Sequence, residues 1–177
     1  MNDSREMLIE IKDNMTKKDT IKARLVLAYL EHVDKKAREQ VLASFNYAAP
    51  DFAIPLLARF IIEHKALAQS LPIVREILAV KILAMPDLVV KAIADPQTPH
   101  RSVYIQMAGE LRLDDTVPEI LKALLAASDV DEINQYIDVL GEIGDASATN
   151  TLSDFLYSGN RKLIITATKA LGKIGSP

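Results

Sequence analysis

Val139-Leu140-Gly141-Glu142-Ile143-Gly144-Asp145 is the stretch of sequence that decides the fold of this chain. Its centre is an apolar residue followed by glycine, a charged residue and a second apolar residue. The same order occurs at Ala108-Gly109-Glu110-Leu111 and at Leu171-Gly172-Lys173-Ile174, so this pattern recurs at nearly equal intervals. Internal similarity at a fixed period of about 32 residues is typical of helical repeat proteins.

A second pattern recurs where apolar segments begin. Asp51-Phe52-Ala53-Ile54-Pro55-Leu56-Leu57 is similar to Asp114-Asp115-Thr116-Val117-Pro118-Glu119-Ile120-Leu121, and the separation of the two prolines is close to two periods. Asp19–His32 and Asp51–His64 both open with aspartate and close with Glu-His, and the second stands one period after the first. The same period therefore continues along the chain, with a slip around Ala66 to Asp87.

Each period has the pattern of two helices. In residues 131–143 the apolar side chains are spaced three or four apart, as on one face of a helix. Gly141 interrupts this helix at some cost in propensity, so we expect it to let a neighbouring helix approach closely. Gly144 is placed to end the helix in a left-handed conformation, and Asp145 is placed to cap the next one.

These signals predict an all-α fold in one domain covering residues 1–177. Pro55 and Pro118 are expected in the opening turns of their helices, where a missing amide donor is tolerated. Leu25, Leu57, Ile93, Leu121 and Leu152 are taken as equivalent core positions, with the side chains two positions before and after them facing outward. The predicted elements are a cap helix over residues 5–14 and five antiparallel pairs: Asp19–His32 with Asp34–Tyr47, Asp51–His64 with Leu71–Leu83, Pro86–Ala94 with Pro99–Leu113, Asp115–Ala127 with Val130–Ile143, and Ala146–Tyr157 with Arg161–Ile174.

The two patterns resemble the HEAT family, and within it the bacterial and archaeal HEAT-like repeats first described in phycobilin lyases. Those repeats have an Ala-Leu-Gly-Glu-Ile-Gly-Asp core, a turn, and then a helix that begins Ala-Val-Pro-x-Leu. The resemblance covers most of residues 34–177. It implies an α-solenoid of about five stacked helix pairs with an N-terminal cap helix. It implies no particular activity, because this architecture hosts many unrelated roles.

The resemblance also implies a binding surface, because the second helices of successive repeats in this family usually line a concave face. The ligand-facing side chains expected on that ground are Arg59, Glu63, Lys91, Glu119, Asn150, Asp154 and Tyr157. Stacked pairs offer a long shallow groove, so a protein or peptide partner is favoured over a small molecule. We therefore expect a non-enzymatic interaction scaffold with no catalytic residues, metal or cofactor.

Charge is distributed unevenly. Residues 82–159 hold four basic and thirteen acidic side chains, and the rest of the chain holds seventeen basic and eleven acidic ones. The acidic segment favours a basic partner whose affinity falls as salt rises. The outward positions carry mixed charges and no recurring aromatic residue, which argues against nucleic-acid binding.

The pairs Glu31-His32 and Glu63-His64, one period apart, invite comparison with a metal site. The HEAT-type deoxyhypusine hydroxylases bind two irons through repeated His-Glu pairs, but here the order is reversed and only two pairs occur. We interpret both histidines as residues near helix ends, where they interact with the helix dipole. The chain has no cysteine, phosphate-binding loop or nucleophile motif.

Several alternatives remain at this stage. The chain could instead be an enzyme subunit acting on a tetrapyrrole, as phycobilin lyases do, or a regulatory segment fused to a downstream domain. Residues 175–177 stand where the family's loop leads to another helix, so we expect the N-terminal part of a longer protein, or self-association through the last helix. The sequence has no secretory signal and no apolar run long enough for a membrane span, which predicts a cytoplasmic protein.

Overall fold

The computed structural model describes Asp13 and residues 19–175, and the predicted cap helix lies, apart from Asp13, outside them. All regular secondary structure in these residues is helical, which confirms the all-α class. The chain divides into two compact units, Met1–Met85 and Pro86–Pro177. None of the helices in the described residues is both long and apolar enough to cross a bilayer.

The first unit contains five α-helices in the residues described. Helices α1 and α3 contact each other, and α5 contacts both α2 and α3. Asp19 and Asp34 cap α1 and α2 by accepting hydrogen bonds from the backbone amides of Lys22 and Ala37, at 3.1 and 2.9 Å. The helices are α1 (Thr20–Tyr29), α2 (Lys35–Ser44), α3 (Pro50–Glu63), α4 (Lys65–Gln69) and α5 (Ile73–Ala84), and short 3₁₀ turns, Leu30–His32 and Phe45–Tyr47, extend α1 and α2.

Two details of the first unit differ from the prediction. Helix α3 begins at Pro50 instead of Asp51, so Pro55 lies in its second turn and not in its opening turn. Helix α4 was not predicted. It follows α3 without any glycine or proline between them, and the break is the backbone of His64, with φ −121° and ψ 47°. This extra helix occupies the region where the repeat period slips.

The second unit contains six α-helices over residues 86–175, and their bounds follow the predicted map closely. Helix α6 contacts α8, while α9 contacts both α7 and α11. Contacts also join α6 with α7, α8 with α9, and α10 with α11, so the predicted pairs are adjacent. The helices are α6 (Asp87–Ala94), α7 (Arg101–Glu110), α8 (Val117–Ala126), α9 (Val130–Ile143), α10 (Thr149–Asp154) and α11 (Arg161–Gly175), with 3₁₀ turns at Asp114–Thr116, Ala146–Ala148 and Phe155–Tyr157.

Two glycines of the repeated pattern, Gly141 and Gly109, allow close helix packing, which was expected at Gly141. A Cβ added to Gly141 in α9 would lie 2.6 Å from both Cα and Cβ of Ala170 in α11, which is closer than real atoms approach. A Cβ added to Gly109 in α7 would lie 3.3 Å from a methyl carbon of Val139 in α9. Gly144 ends α9 with φ +85°, which confirms the predicted helix stop.

Side-chain hydrogen bonds inside each unit join residues that are about one period apart. In the first unit His64 hydrogen-bonds Glu31, a separation of 33 residues, at 2.8 Å. In the second unit Thr166 donates to Asn134, 32 residues away, at 2.6 Å, and Lys173 donates to Glu142, 31 residues away, at 2.9 Å. Lys162 also donates to Asp131, 31 residues away. The three bonds of the second unit all join α9 to α11, so these two helices pack in register with the sequence period.

In two helix pairs, an arginine of the second helix forms a hydrogen bond with the end of the first helix. The Nε atom of Arg38 donates to the carbonyl oxygen of Leu30 at 2.8 Å, and Nε of Arg101 donates to that of Ile93 at 2.8 Å. Each arginine thereby satisfies a carbonyl near the end of the preceding helix, eight residues earlier. Arg101 stands two periods after Arg38, and Ile93 stands two periods after Leu30, so the same contact recurs with the repeat.

The core positions predicted from the alignment of repeats are correct in part. Leu57, Ile93 and Leu152 are fully buried. Leu121 is half-buried. For Leu25 the prediction is wrong, because its side chain is 66% exposed.

The error at Leu25 arises because helix α1 is apolar on two faces. One face carries Ala23, Leu27 and Leu30, which are buried. The other carries Ile21, Leu25 and Tyr29, spaced by four residues, and all three are exposed. Either set has helical spacing, so periodicity alone could not decide which face packs inward.

Candidate functional site

A groove of about 330 Å³ lies between α1 and α3 in the first unit. Leu27, Ala28, Leu56 and Phe60 contribute to its lining together with Ile21 and Leu25. Leu27, Leu56 and Phe60 are core residues, with at most 4% of each exposed, so the apolar lining of the groove is continuous with the core of this unit.

Three large apolar side chains of α1, Ile21, Leu25 and Tyr29, form an apolar stripe beside this groove. They are 73%, 66% and 51% exposed. Positions four apart lie on one side of a helix, so the stripe extends for about 12 Å along α1. Scattered exposed apolar residues are ordinary, but a contiguous exposed set beside a groove is typical of interaction sites.

Polar side chains of α3 form the other side of the groove. Arg59 and Glu63 form an ion pair with 2.6 Å between Nη2 and Oε1. The hydrogen bond that Arg59 donates to Glu63 raises the pKa of the Arg59 guanidinium. The Nε atom of Arg59 is buried without a hydrogen-bond partner among the described residues. The groove therefore combines an apolar lining with an ion pair on its α3 side.

At one end of the groove, His64 joins α3 to the turn that follows α1. Its imidazole hydrogen-bonds Glu31 at 2.8 Å and stacks on the ring of Phe60, with 5.2 Å between ring centroids. The hydrogen bond from His64 lowers the pKa of the Glu31 carboxyl. Within residues 19–175 no group of three or more histidine, aspartate or glutamate side chains is arranged to hold a metal ion. The bond between Glu31 and His64 links α3 to the end of α1.

The seven ligand-facing residues expected from the resemblance lie in different surroundings. Arg59 and Glu63 line the groove of the first unit. Glu119 lines a pocket in the second unit and pairs with Lys122 at 2.7 Å. The remaining four are exposed on helices or turns of the second unit, and these are Lys91, Asn150, Asp154 and Tyr157.

The pocket of the second unit has a volume of about 290 Å³, and its polar side chains bind one another or nearby backbone. The hydroxyl of Tyr136 donates to the carboxylate of Glu132. The guanidinium of Arg101 donates to the carbonyl oxygen of Ile93. These bonds occupy much of the hydrogen-bonding capacity of the pocket, so the groove of the first unit is the better candidate for a binding site.

Tyr136 makes the stability of the second unit depend on pH. Burial and the hydrogen bond to Glu132 raise the pKa of Tyr136 to about 12, from an ordinary value of 10.0. Between these values the folded chain holds a proton that the unfolded chain has lost, so stability falls as pH rises through this window. We expect a loss on the order of 1 kcal/mol for each pH unit above 10. Urea unfolding at several pH values from 9 to 11 measures it.

The Tyr136→Phe variant tests this assignment. It should be less stable at neutral pH, because it lacks the hydroxyl, and the fall above pH 10 should become clearly smaller. Tyr157→Phe is the matched control, because the ring of Tyr157 is 88% exposed and the loss of its hydroxyl should leave the pH profile unchanged. An identical fall in wild type and in Tyr136→Phe would contradict the role given to Tyr136.

The sequence-based prediction missed the apolar stripe on α1, although the signal for it was present. Ile21, Leu25 and Tyr29 stand at successive positions four apart, and a helix with two apolar faces must expose one of them unless a partner covers it.

No protein-family model matches this chain, and a search of curated proteins gives no significant match.

Proposed function

We propose that this protein is a HEAT-like repeat scaffold that binds a segment of another protein and catalyses no reaction. The groove between α1 and α3 in the first unit is the proposed binding site. The observation that carries this proposal is the exposed apolar stripe of Ile21, Leu25 and Tyr29 beside that groove.

The repeat part of the proposal is supported by the contacts inside each unit. Side-chain bonds join residues about one period apart, as with His64 and Glu31 or Lys173 and Glu142. Gly141 lies against Ala170 at the place where a HEAT-like repeat would bring successive helices together. A stack of such pairs buries apolar faces that no single pair can bury alone.

The binding part is supported by the composition of the groove. Tyrosine and arginine are among the residue types that contribute most to binding free energy in protein interfaces, and here Tyr29 and Arg59 stand with exposed leucine and isoleucine. The apolar side chains of the stripe would leave water when a partner covers them, and this transfer would stabilise a complex.

The other partners expected from the sequence would have different signatures. A basic partner of the acidic segment, residues 82–159, would bind more weakly as salt rises. A tetrapyrrole-handling subunit would change the absorbance of a bilin on mixing. A regulatory segment would be followed by another domain in the full reading frame.

The main test is to select binding peptides from a displayed random library with the full chain and to measure their affinities for variants. We expect Leu25→Lys to weaken binding of the selected peptides by at least about tenfold, because it places a charge in the stripe. Fluorescence anisotropy of labelled peptides measures this effect.

Leu125→Lys is the matched control, because Leu125 is a 72% exposed leucine in α8 of the second unit. It should leave peptide affinity unchanged, and thermal unfolding should show that both variants keep their folds. If the library yields no peptide whose binding depends on Leu25, the proposed site is wrong.

A further inference from the structure

The shape of the groove suits a helical partner. The groove lies between α1 and α3, and the apolar stripe beside it repeats every four residues along α1. A channel between two adjacent helices is the space that a ridge of side chains on a third helix fills. An amphipathic helix can also pack its own apolar residues, three or four positions apart, along a stripe of this spacing.

Two cations flank the stripe on α1. Successive residues of a helix are rotated by about 100°, so Lys22 lies next to Ile21 on one side of the stripe and Arg24 lies next to Leu25 on the other. Arg24 also lines the groove. Neither side chain forms an ion pair or hydrogen bond within the part of the chain that the structure describes. Both charges are available to a partner.

The nearby carboxylates of Glu63 and Glu31 do not pair with these two cations, because each carboxylate is bonded to another side chain. Glu63 pairs with Arg59 at 2.6 Å, and Glu31 is hydrogen-bonded to His64 at 2.8 Å. Within the described residues, Lys22 and Arg24 therefore keep their charges without an ion-pair partner. A partner that brings carboxylates to both edges of the stripe gains from charge complementarity, and one that brings lysines is repelled.

We infer that the groove between α1 and α3 binds an amphipathic α-helix of a partner protein, whose apolar face packs on Ile21, Leu25 and Tyr29 and whose flanking carboxylates meet Lys22 and Arg24. This inference rests on the proposed function and specifies the chemistry of its partner. The flanking charges select the partner, while the apolar stripe supplies most of the affinity.

The first arm of the test compares two synthetic helical peptides of about four turns, with identical leucine positions and either glutamate or lysine at the positions that flank them. The full-length chain should bind the glutamate peptide at least about fivefold more tightly than the lysine peptide, and added salt should reduce the difference. Leu25→Lys should weaken the binding of both peptides.

The second arm reverses the charges of the site with the double variant Lys22→Glu, Arg24→Glu. We expect the preference to invert, so that the lysine peptide binds more tightly than the glutamate peptide. Glutamate at position 22 stands three residues after the capping Asp19, a position where it favours the start of a helix, so α1 should stay folded. Circular dichroism and thermal unfolding check this.

The outcomes separate the inference from the proposed function. If library peptides depend on Leu25 but the wild type does not distinguish the two charged peptides, the inference fails and the proposed function stands. If no peptide depends on Leu25, both fail. A wild-type dimer in light scattering that Leu25→Lys converts to a monomer would also overturn the inference, because a second copy of the chain would then occupy the stripe.

Discussion

Replacing Gly141 with alanine should destabilise the protein by about 3 kcal/mol, because the new methyl group overlaps backbone and not only a side chain. The new Cβ at position 141 would lie 2.6 Å from the Cα atom of Ala170. Backbone atoms inside a packed helix pair cannot move away by a bond rotation, as the end of a side chain can. To relieve the overlap, the distance between α9 and α11 must increase where they are in contact. Urea unfolding monitored by circular dichroism measures the loss.

The same substitution at Gly172 is the matched control. Gly172 is the glycine of the same sequence pattern one period after Gly141, but a Cβ there would meet no heavy atom within 4 Å. Gly172→Ala should therefore be neutral or should stabilise the protein by up to about 1 kcal/mol through helix propensity. Gly109→Ala should lie between the two, since the contact at 3.3 Å is with a methyl group of Val139. Equal stabilities for the variants at Gly141 and Gly172 would contradict the close approach of α9 and α11.

Replacing Lys81 with methionine should cost the first unit about 3 kcal/mol. The Nζ atom of Lys81 donates to the carbonyl oxygens of Ala48 at 2.6 Å and of Asn46 at 2.8 Å, at the end of the 3₁₀ turn that follows α2. Only 8% of the residue is exposed, and burial lowers the pKa of its amine. Methionine keeps the volume but leaves the buried carbonyl of Ala48 without a donor.

Lys122→Met is the control for this experiment. Lys122 pairs with Glu119 on the surface of α8, and exposed pairs of this kind contribute only about 0.5 kcal/mol. The two variants remove the same charge and introduce the same side chain, so the difference between them reports the two carbonyl contacts of Lys81. A Lys81→Met variant as stable as Lys122→Met would show that these contacts contribute little to stability.

The positions of most helices were predictable because the signals that start and stop them are local. Helix α9 was predicted and observed as Val130–Ile143, with Asp129 capping its start and Gly144 ending it. Helix α4 escaped prediction, because it is only five residues long and is separated from α3 by the backbone angles of His64 and not by a glycine or proline. The role of Lys81 was equally hidden, because a lysine beside isoleucine and valine shows nothing of the carbonyl groups that it meets 33 and 35 residues earlier.

The candidate site was predictable only on the side of α3. The resemblance to HEAT-like repeats placed Arg59 and Glu63 on a ligand-facing surface, and both line the groove. The α1 side was assigned to the core at Leu25, because a helix with two apolar faces gives the same periodicity whichever face is buried. The bond between Glu31 and His64 joins different helices, and spacing along one helix cannot reveal such a contact.

The side-chain bonds between helices one period apart limit how the length of this chain can change. Donors and acceptors stand 31 to 33 positions apart at His64 and Glu31, at Thr166 and Asn134, and at Lys173 and Glu142. A deletion or duplication of one entire module would keep the phase of the helix faces that pack on one another, whereas a small shift inside a helix would misalign the bonds that this helix makes. Gains and losses of sequence should therefore be tolerated as whole modules or within the turns between helices.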